Sequence, residues 1–163
     1  MKRTIFIVVV FFAATLYAQD IDKNISENPR VKKPVGLSFN LGGPTYVASA
    51  SIDYFILPVL NIETGAGIWG YYIGPKYHFK GNRNNGATAY AGALVSVYPP
   101  SSSSEWSGWN LPPPETHYEI YLPVGITNIS ANGYTFSIEI AYSSQTLHPD
   151  IPFWFSLKFG YHF

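Results

Sequence analysis

Apolar side chains occupy every second position through most of the chain from residue 35 onward. The pattern is clearest in the final segment, 153–163, which reads FWFSLKFGYHF. Successive side chains of a β-strand point to opposite faces, so period two predicts strands with one apolar face, whereas an amphipathic helix repeats every three to four residues. Because no helical pattern persists for three turns after residue 35, the sequence predicts an all-β domain.

The alternating segments number eight, and their connectors differ in length. The segments cover 35–42, 47–56, 60–68, 70–80, 87–98, 116–127, 132–143 and 153–163. Connectors after even-numbered segments are short and turn-like, as in GNRNNG, whereas the two longest, 99–115 and 144–152, follow odd-numbered segments. A sheet of consecutive antiparallel neighbours would therefore have short turns at one end and long loops at the other.

Charged residues fall on one face of the predicted strands. In 60–68, for example, Glu63 lies opposite the row of Ile62 and Ile68. The charged face otherwise contains mainly Gly, Ser, Ala and Thr, which suit the crowded interior of a closed eight-stranded barrel. We therefore expect a lumen charge network made of Asp53, Glu63, Lys76, Glu119, Glu139 and Lys158, joined by Lys80. The apolar rows would face outward, and only segment 87–98, rich in Ala and Val, leaves its inward face undecided.

Two prolines conflict with uninterrupted pairing in a closed sheet. Pro75 and Pro123 lie inside predicted strands, and proline has no N–H to donate to a neighbouring strand. We expect a β-bulge or a strand boundary at each.

Aromatic residues lie near the ends of the predicted strands. They fit the two bands of aromatic residues that membrane β-barrels carry at their two interfaces with water, and the members are Trp69, Tyr71, Phe79, Tyr118, Tyr134, Tyr142, Phe153 and Tyr161.

The N-terminal residues, MKRTIFIVVVFFAATLYAQD, have the order of a secretory signal peptide: basic residues, an apolar run, then small residues. The apolar run is too short to span a bilayer as a mature anchor. We expect residues 1–18 to be a signal peptide, 19–34 a flexible N-terminal segment and 35–163 the barrel.

Composition limits the partners of such a domain. Only 12% of the residues are charged, against about 25% in soluble domains, so the usual charged coat is missing. The formal net charge is zero and no basic block occurs, which argues against a general nucleic-acid binder. Since the chain has no cysteine, neither a disulfide framework nor lipid attachment to an N-terminal cysteine is available.

With its signal peptide, eight alternating segments and aromatic last strand, the sequence resembles the small eight-stranded bacterial outer-membrane β-barrel proteins. The resemblance covers nearly all of 35–163 and implies an eight-stranded antiparallel up-and-down transmembrane β-barrel in the outer membrane. It implies outer-membrane lipid and the outer-membrane assembly machinery as partners. In that family the last strand with its terminal aromatic residue is the assembly signal, which here implies Phe155, Leu157, Phe159, Tyr161 and Phe163. The family includes adhesins, anchors and lipid A enzymes, so the resemblance indicates architecture more than function.

No motif supports a catalytic, cofactor-binding or metal site. GAGIWG at 65–70 matches the dinucleotide-binding pattern, but no helix follows to hold a pyrophosphate. The four histidines lack metal-ligand spacing. The His-x-Ser pair of the family's deacylases is missing, and Ser143, Ser144, His148 and Asp150 would meet only through loop placement. Trp106 and Trp109 in the loop 99–115 are the candidates for partner contact or for anchoring at the membrane surface.

The sequence thus predicts a monomeric outer-membrane barrel with a side-chain-filled lumen. Eight strands leave no open channel, so we expect a structural or surface-interaction role through the loops rather than transport. Two alternatives remain open. The first is a soluble exported β-barrel that binds an apolar ligand inside, because alternation alone does not distinguish inside from outside. The second is a lipid A-modifying enzyme.

Overall fold

The structure is a computed structural model, and it describes residues 27–83, 86–100, 115–144 and 152–163. The expected signal peptide, residues 19–26 of the N-terminal segment, Trp106, Trp109, His148 and Asp150 lie outside the described residues.

The described chain forms one short helix and a closed antiparallel sheet. The helix is α1 (Pro29–Lys32). The strands are β1 (Val35–Gly42), β2 (Ala48–Leu57), β3 (Leu60–Gly67), β4 (Tyr71–His78), β5 (Ala87–Gly92), β6 (Leu94–Tyr98), β7 (His117–Ile129), β8 (Tyr134–Ser143) and β9 (Phe153–His162). Each strand pairs with its neighbours in sequence, and β9 pairs with β1 to close the sheet. Because β5 and β6 are two parts of one barrel strand between β4 and β7, the predicted eight-stranded up-and-down barrel is confirmed.

The break between β5 and β6 lies between the two prolines. Pro75 of β4 and Pro123 of β7 flank it from either side, and the Ala93 N–H donates to the Pro75 carbonyl at 3.1 Å. The pairings Lys76–Gly92 and Ile73–Val95 keep one register across the break. The expectation of a bulge or a strand boundary at each proline is therefore wrong, because β4 and β7 run through both without a register shift. The interruption lies in the strand between them and shifts no side chain to the other face.

Most side chains that point into the barrel are small or polar, with a few large ones such as Phe55, Tyr72 and Leu94 among them, and most large apolar side chains point out. The outward rows of the barrel strands are exposed, as in Leu37, Phe39 and Leu41 of β1 and Phe136, Ile138 and Ile140 of β8. In the strand that the sequence left undecided, Thr88, Tyr90, Leu94, Ser96 and Tyr98 point inward. The exposed apolar rows form a continuous ring around the barrel, which we call the apolar belt.

The barrel has two unlike ends. The short-turn end carries α1 and the connections 58–59, 79–86 and 130–133, and the long-loop end carries 43–47, 68–70, 99–116 and 144–152. Every aromatic residue predicted to belong to the two bands is exposed on the outer face, except Trp69, which is half-buried.

Two non-glycine residues in the connections have a left-handed backbone. Tyr46 at the long-loop end has a φ of 68°, and Lys80 at the short-turn end has a φ of 59°. Non-glycine residues adopt this left-handed region at a cost of roughly 1–2 kcal/mol.

Candidate functional site

Five buried charged side chains meet in the middle of the lumen. Lys158 Nζ lies 3.0 Å from Asp53 Oδ1 and 2.9 Å from Glu63 Oε2. Lys76 Nζ lies 3.0 Å from Glu63 Oε2 and 2.9 Å from Glu139 Oε2. The two lysines therefore link the three carboxylates in one chain, which we call the central charge network.

The network brings together charges from strands that are distant around the barrel. Asp53 and Glu63 are direct partners in the β2–β3 register, an arrangement in which like charges repel. Lys158 belongs to β9 and reaches both carboxylates across the lumen. Such buried charges are tolerated only when they are paired, since an isolated charge in a low-dielectric interior is strongly penalised.

Tyrosine hydroxyls complete the hydrogen bonding of the network. Tyr72 donates to Glu63 at 2.9 Å, and Tyr90 and Tyr121 donate to Glu139 at 2.6 and 3.1 Å. These tyrosines were not predicted as part of the site, although Tyr72 alternates in phase with Lys76 and Tyr121 with Glu119. Tyr90 lies in the segment whose inward face the sequence left undecided. Only glycine at position 65 leaves room for Tyr72, because a Cβ there would lie 2.6 Å from its ring.

Glu119 is separate from the central charge network and lies at the long-loop end. Its carboxylate accepts a hydrogen bond from Ser143 Oγ at 2.8 Å and lies 3.5 Å from His117 Nε2. The Tyr46 hydroxyl lies 2.6 and 2.7 Å from its two oxygens, and that of Tyr98 lies 3.3 Å away. We call these residues the mouth cluster.

Tyr46 reaches the mouth cluster because the β1–β2 hairpin folds into the barrel opening. Its ring contacts Tyr98, Trp154 and Trp69, with centroid distances of 5.3, 4.5 and 6.1 Å. Backbone strain at this residue is thus offset by aromatic packing and by a hydrogen bond to a charge. The hairpin covers the polar interior at this end.

The short-turn end is covered by α1 and the residues around it. Asn28 donates to the carbonyls of Gly81 and Arg83 at 2.6 and 3.0 Å. The buried Arg30 guanidinium donates to the Gly86 carbonyl at 3.0 Å and to Thr88 Oγ1 at 2.8 Å. Burial lowers the pKa of Arg30 to about 10, which still leaves it charged at neutral pH. This segment, expected from the sequence to be flexible, is in part an ordered plug.

The lumen between the two covers is nearly filled. A cavity of about 10 Å³ lies below the central charge network, toward α1, and is lined by Asp53, Lys76, His78, Lys158 and His162 among others. That volume is room for about one water molecule. Nothing of this size forms a channel.

The structure separates the predicted site residues into groups. Asp53, Glu63, Lys76, Glu139 and Lys158 meet in one network, whereas Glu119 belongs to the mouth cluster. Lys80 is exposed in the β4–β5 connection, so its expected place in the lumen is wrong. Phe155, Phe159, Tyr161 and Phe163 are exposed and Leu157 is half-buried, and their role as an assembly signal stays a prediction.

Ser143 is hydrogen-bonded in the mouth cluster and is not paired with a histidine among the described residues. The hydrogen bond from the buried Ser143 hydroxyl goes to Glu119 rather than to a histidine. A nucleophilic serine needs a neighbouring base that can remove its proton and access to a substrate. Within the described ranges, no group of three His, Asp or Glu side chains could hold a metal ion.

Fold and lumen together define a class of protein: a small closed β-barrel with an ionised, hydrogen-bonded interior and an apolar exterior. No protein-family model matches this chain, and a search of the curated proteins found no match. None of the helical residues that the structure describes belongs to a helix long and apolar enough to cross a membrane.

Replacing Tyr46 tests how firmly the mouth is closed. We expect Tyr46→Phe to lower the free energy of unfolding by about 1.5–3 kcal/mol, the usual worth of a hydrogen bond to a charged group. Denaturant titration followed by tyrosine and tryptophan fluorescence would measure the change. Tyr54→Phe is the matched control, because the Tyr54 side chain is on the outer face and 52% exposed. Equal stability of the two variants would contradict the proposed closure.

Proposed function

We propose that this chain is an integral outer-membrane barrel whose exterior is solvated by lipid. The observation that carries the proposal is the apolar belt. Leu, Ile, Val, Phe and Tyr side chains on every barrel strand leave between about a third and two thirds of their surface uncovered, as in Ile73 at 56%, Ile126 at 62% and Phe155 at 56%. Monomeric soluble proteins rarely expose contiguous apolar patches above a few hundred Å².

The polarity of the two faces supports lipid rather than water outside. The described outer rows of the strands carry no charged residue, and the charges of the strands are buried inside the barrel in pairs. A closed sheet also satisfies the backbone hydrogen bonds without an edge, which is what a bilayer requires of a spanning structure. A tilted transmembrane strand needs about 9 to 11 residues. Apart from the strand that is divided into β5 and β6, the barrel strands have 8 to 13 residues, a range that includes this length.

The filled lumen favours a structural or surface-interaction role over transport. The central charge network and the covers at both ends leave no continuous passage through the described residues. The long loops, including 99–115 with Trp106 and Trp109, would then present the contact surface. The strand ends that flank these loops lie at the end opposite to α1, which supports this role.

The soluble alternative fits the geometry less well. A barrel that binds an apolar ligand inside needs an apolar lumen with a cavity of several hundred Å³. Here the interior is lined by ion pairs and hydroxyls around a cavity of about 10 Å³. An apolar molecule would displace these partners and leave charges buried without compensation.

Cell fractionation followed by gel electrophoresis tests the proposal. We expect the chain in the membrane pellet, from which detergent releases it but high salt or carbonate does not. On the gel, the unheated sample should migrate faster than the boiled one, because the closed barrel resists unfolding by the detergent. Lys76→Met, which breaks the lumen network without touching the exterior, should weaken the mobility shift while the chain stays in the membrane pellet. Recovery of the native chain in a detergent-free soluble fraction would overturn the proposal.

A further inference from the structure

The exposed basic residues of the described chain are confined to the short-turn end. Lys80 and Arg83 are exposed there in the β4–β5 connection, and Lys33, directly after α1, is half-buried and donates to the Asn132 carbonyl. Lys32 lies at the same end but forms an exposed ion pair with Glu27 at 2.7 Å. Arg30, Lys76 and Lys158 are buried. We call Lys33, Lys80 and Arg83 the basic rim.

Among the described residues, the opposite end has no Lys or Arg. The sequence has no Lys or Arg from position 84 to position 157, a stretch that includes both long loops, and the connections 43–47 and 68–70 have none either. The long-loop connections instead contain Glu105, Glu115 and Asp150. The described residues of the two ends therefore differ in the sign of their charge, although the whole chain is formally neutral.

The basic rim lies next to aromatic residues of the apolar belt. Lys33 Nζ is 5.3 Å from the centroid of the Tyr161 ring, and that ring packs edge-on against Tyr134 at 5.4 Å. Lys80 directly follows Phe79, which is 50% exposed on the outer face. Tyrosines beside lysines at the border of an apolar surface are typical of the depth at which lipid headgroups begin.

Lys80 has a backbone conformation that favours another type of residue. Its φ of 59° lies in the left-handed region that glycine and asparagine adopt more easily. Its side chain is exposed, so the residue does not gain compensating burial. Such an outlier motivates a search for function at the position.

We propose that the basic rim binds the phosphate groups of anionic phospholipids in the leaflet at the short-turn end. This inference rests on the proposed membrane function. Cations on two separate elements, with Lys33 and Lys80 beside exposed aromatic residues, fit a layer of headgroups better than a single soluble ligand, which needs a concave site. The lipid would anchor the barrel's depth and bias its orientation.

Lipid selectivity in vesicles measures this directly. The full-length barrel is folded into phosphatidylcholine vesicles containing spin-labelled phosphatidylglycerol or spin-labelled phosphatidylcholine, and the two relative association constants are compared. We expect a preference for phosphatidylglycerol of about fivefold for each cation–phosphate contact, falling close to parity in the variant Lys33→Gln/Lys80→Asn/Arg83→Gln. Unchanged preference in that variant, or no preference in the unmodified chain, would overturn the inference.

Two further variants separate binding from folding and from net charge. Lys80→Asn relieves the backbone, so the barrel should be as stable as before or more so while its lipid preference falls. Adding Glu115→Gln to Lys80→Asn restores the net charge of the chain at the other end, and the preference should stay low. Recovery of the preference in this double variant would mean that overall charge, not the basic rim, selects the lipid.

Competition with inorganic phosphate distinguishes binding of lipid from binding of free phosphate. Insertion into vesicles distinguishes failure of the lipid-binding proposal from failure of the membrane proposal. Inorganic phosphate should weaken the preference no more than chloride at equal ionic strength; selective displacement by phosphate would point to a soluble anion instead. A barrel that enters phosphatidylcholine vesicles, with heat-modifiable mobility, but shows no lipid preference contradicts only the basic rim's role. A barrel that does not enter them contradicts the membrane proposal itself.

Discussion

Lys76→Met should destabilise the barrel by about 3–5 kcal/mol, the cost of removing one partner from a buried ion pair. Methionine keeps the length of the side chain but removes the charge that holds Glu63 and Glu139. Glu63 retains Lys158, whereas Glu139 retains only the hydroxyls of Tyr90 and Tyr121. The loss therefore falls mainly on Glu139, which becomes a buried carboxylate without a cation.

Urea titration in detergent micelles or vesicles, read from the folded fraction on unheated gels, would measure this loss. Lys32→Met is the matched control, because its ion pair with Glu27 is exposed and such pairs contribute roughly 0–1 kcal/mol. If Lys76→Met does not fold, the double variant Lys76→Met/Glu139→Gln should recover folding, since it removes the uncompensated charge as well. Two equally stable lysine variants would contradict the structural role of the central charge network.

Ile138→Lys should lower the stability of the barrel in a bilayer by about 2–4 kcal/mol, the cost of a lysine on the lipid face at mid-depth. Ile138 is the middle residue of the outward row of β8 and is 44% exposed. In water the same change would be nearly neutral, because surface substitutions usually stay within about 0.5 kcal/mol. The variant thus separates a lipid-facing from a water-facing exterior.

Tyr134→Lys is the matched control for depth. Tyr134 lies at the start of the same row and is 70% exposed, at the border where a lysine costs only about 0–1 kcal/mol. Folding yields and urea midpoints in phosphatidylcholine vesicles would compare the two variants. A large loss for Ile138→Lys beside a small one for Tyr134→Lys is the expected pair of results, and equal, small losses would support the soluble alternative.

Much of the fold could be predicted because strand direction and side-chain alternation are local properties. The predicted segments and the observed strands differ by at most two residues at any end, apart from the interruption at Ala93. That interruption depends on Pro75 and Pro123 lying on both sides of the same position. The position of the interruption cannot be predicted from either proline alone, because it depends on how three neighbouring strands are aligned.

The candidate site was only partly predictable for a similar reason. Alternation identified which charged residues share the inner face, but not that Glu119 would be separate from the others. Lys80 follows the same alternation as Lys76, yet the strand ends at His78 and the chain turns, which moves Lys80 to the surface. The period of a strand predicts a face only as far as the strand continues.

The sequence by itself determined the strands, the two faces and the unlike ends, since period two and connector length are read along the chain. The tertiary structure alone decided that Lys158 neutralises the neighbouring Asp53 and Glu63, and that Tyr46 and Arg30 cover the two ends of the lumen. It also decided that Tyr90, Leu94 and Tyr98 point inward. Each of these depends on which side chains meet across a closed barrel, and closure brings together residues that no local pattern relates.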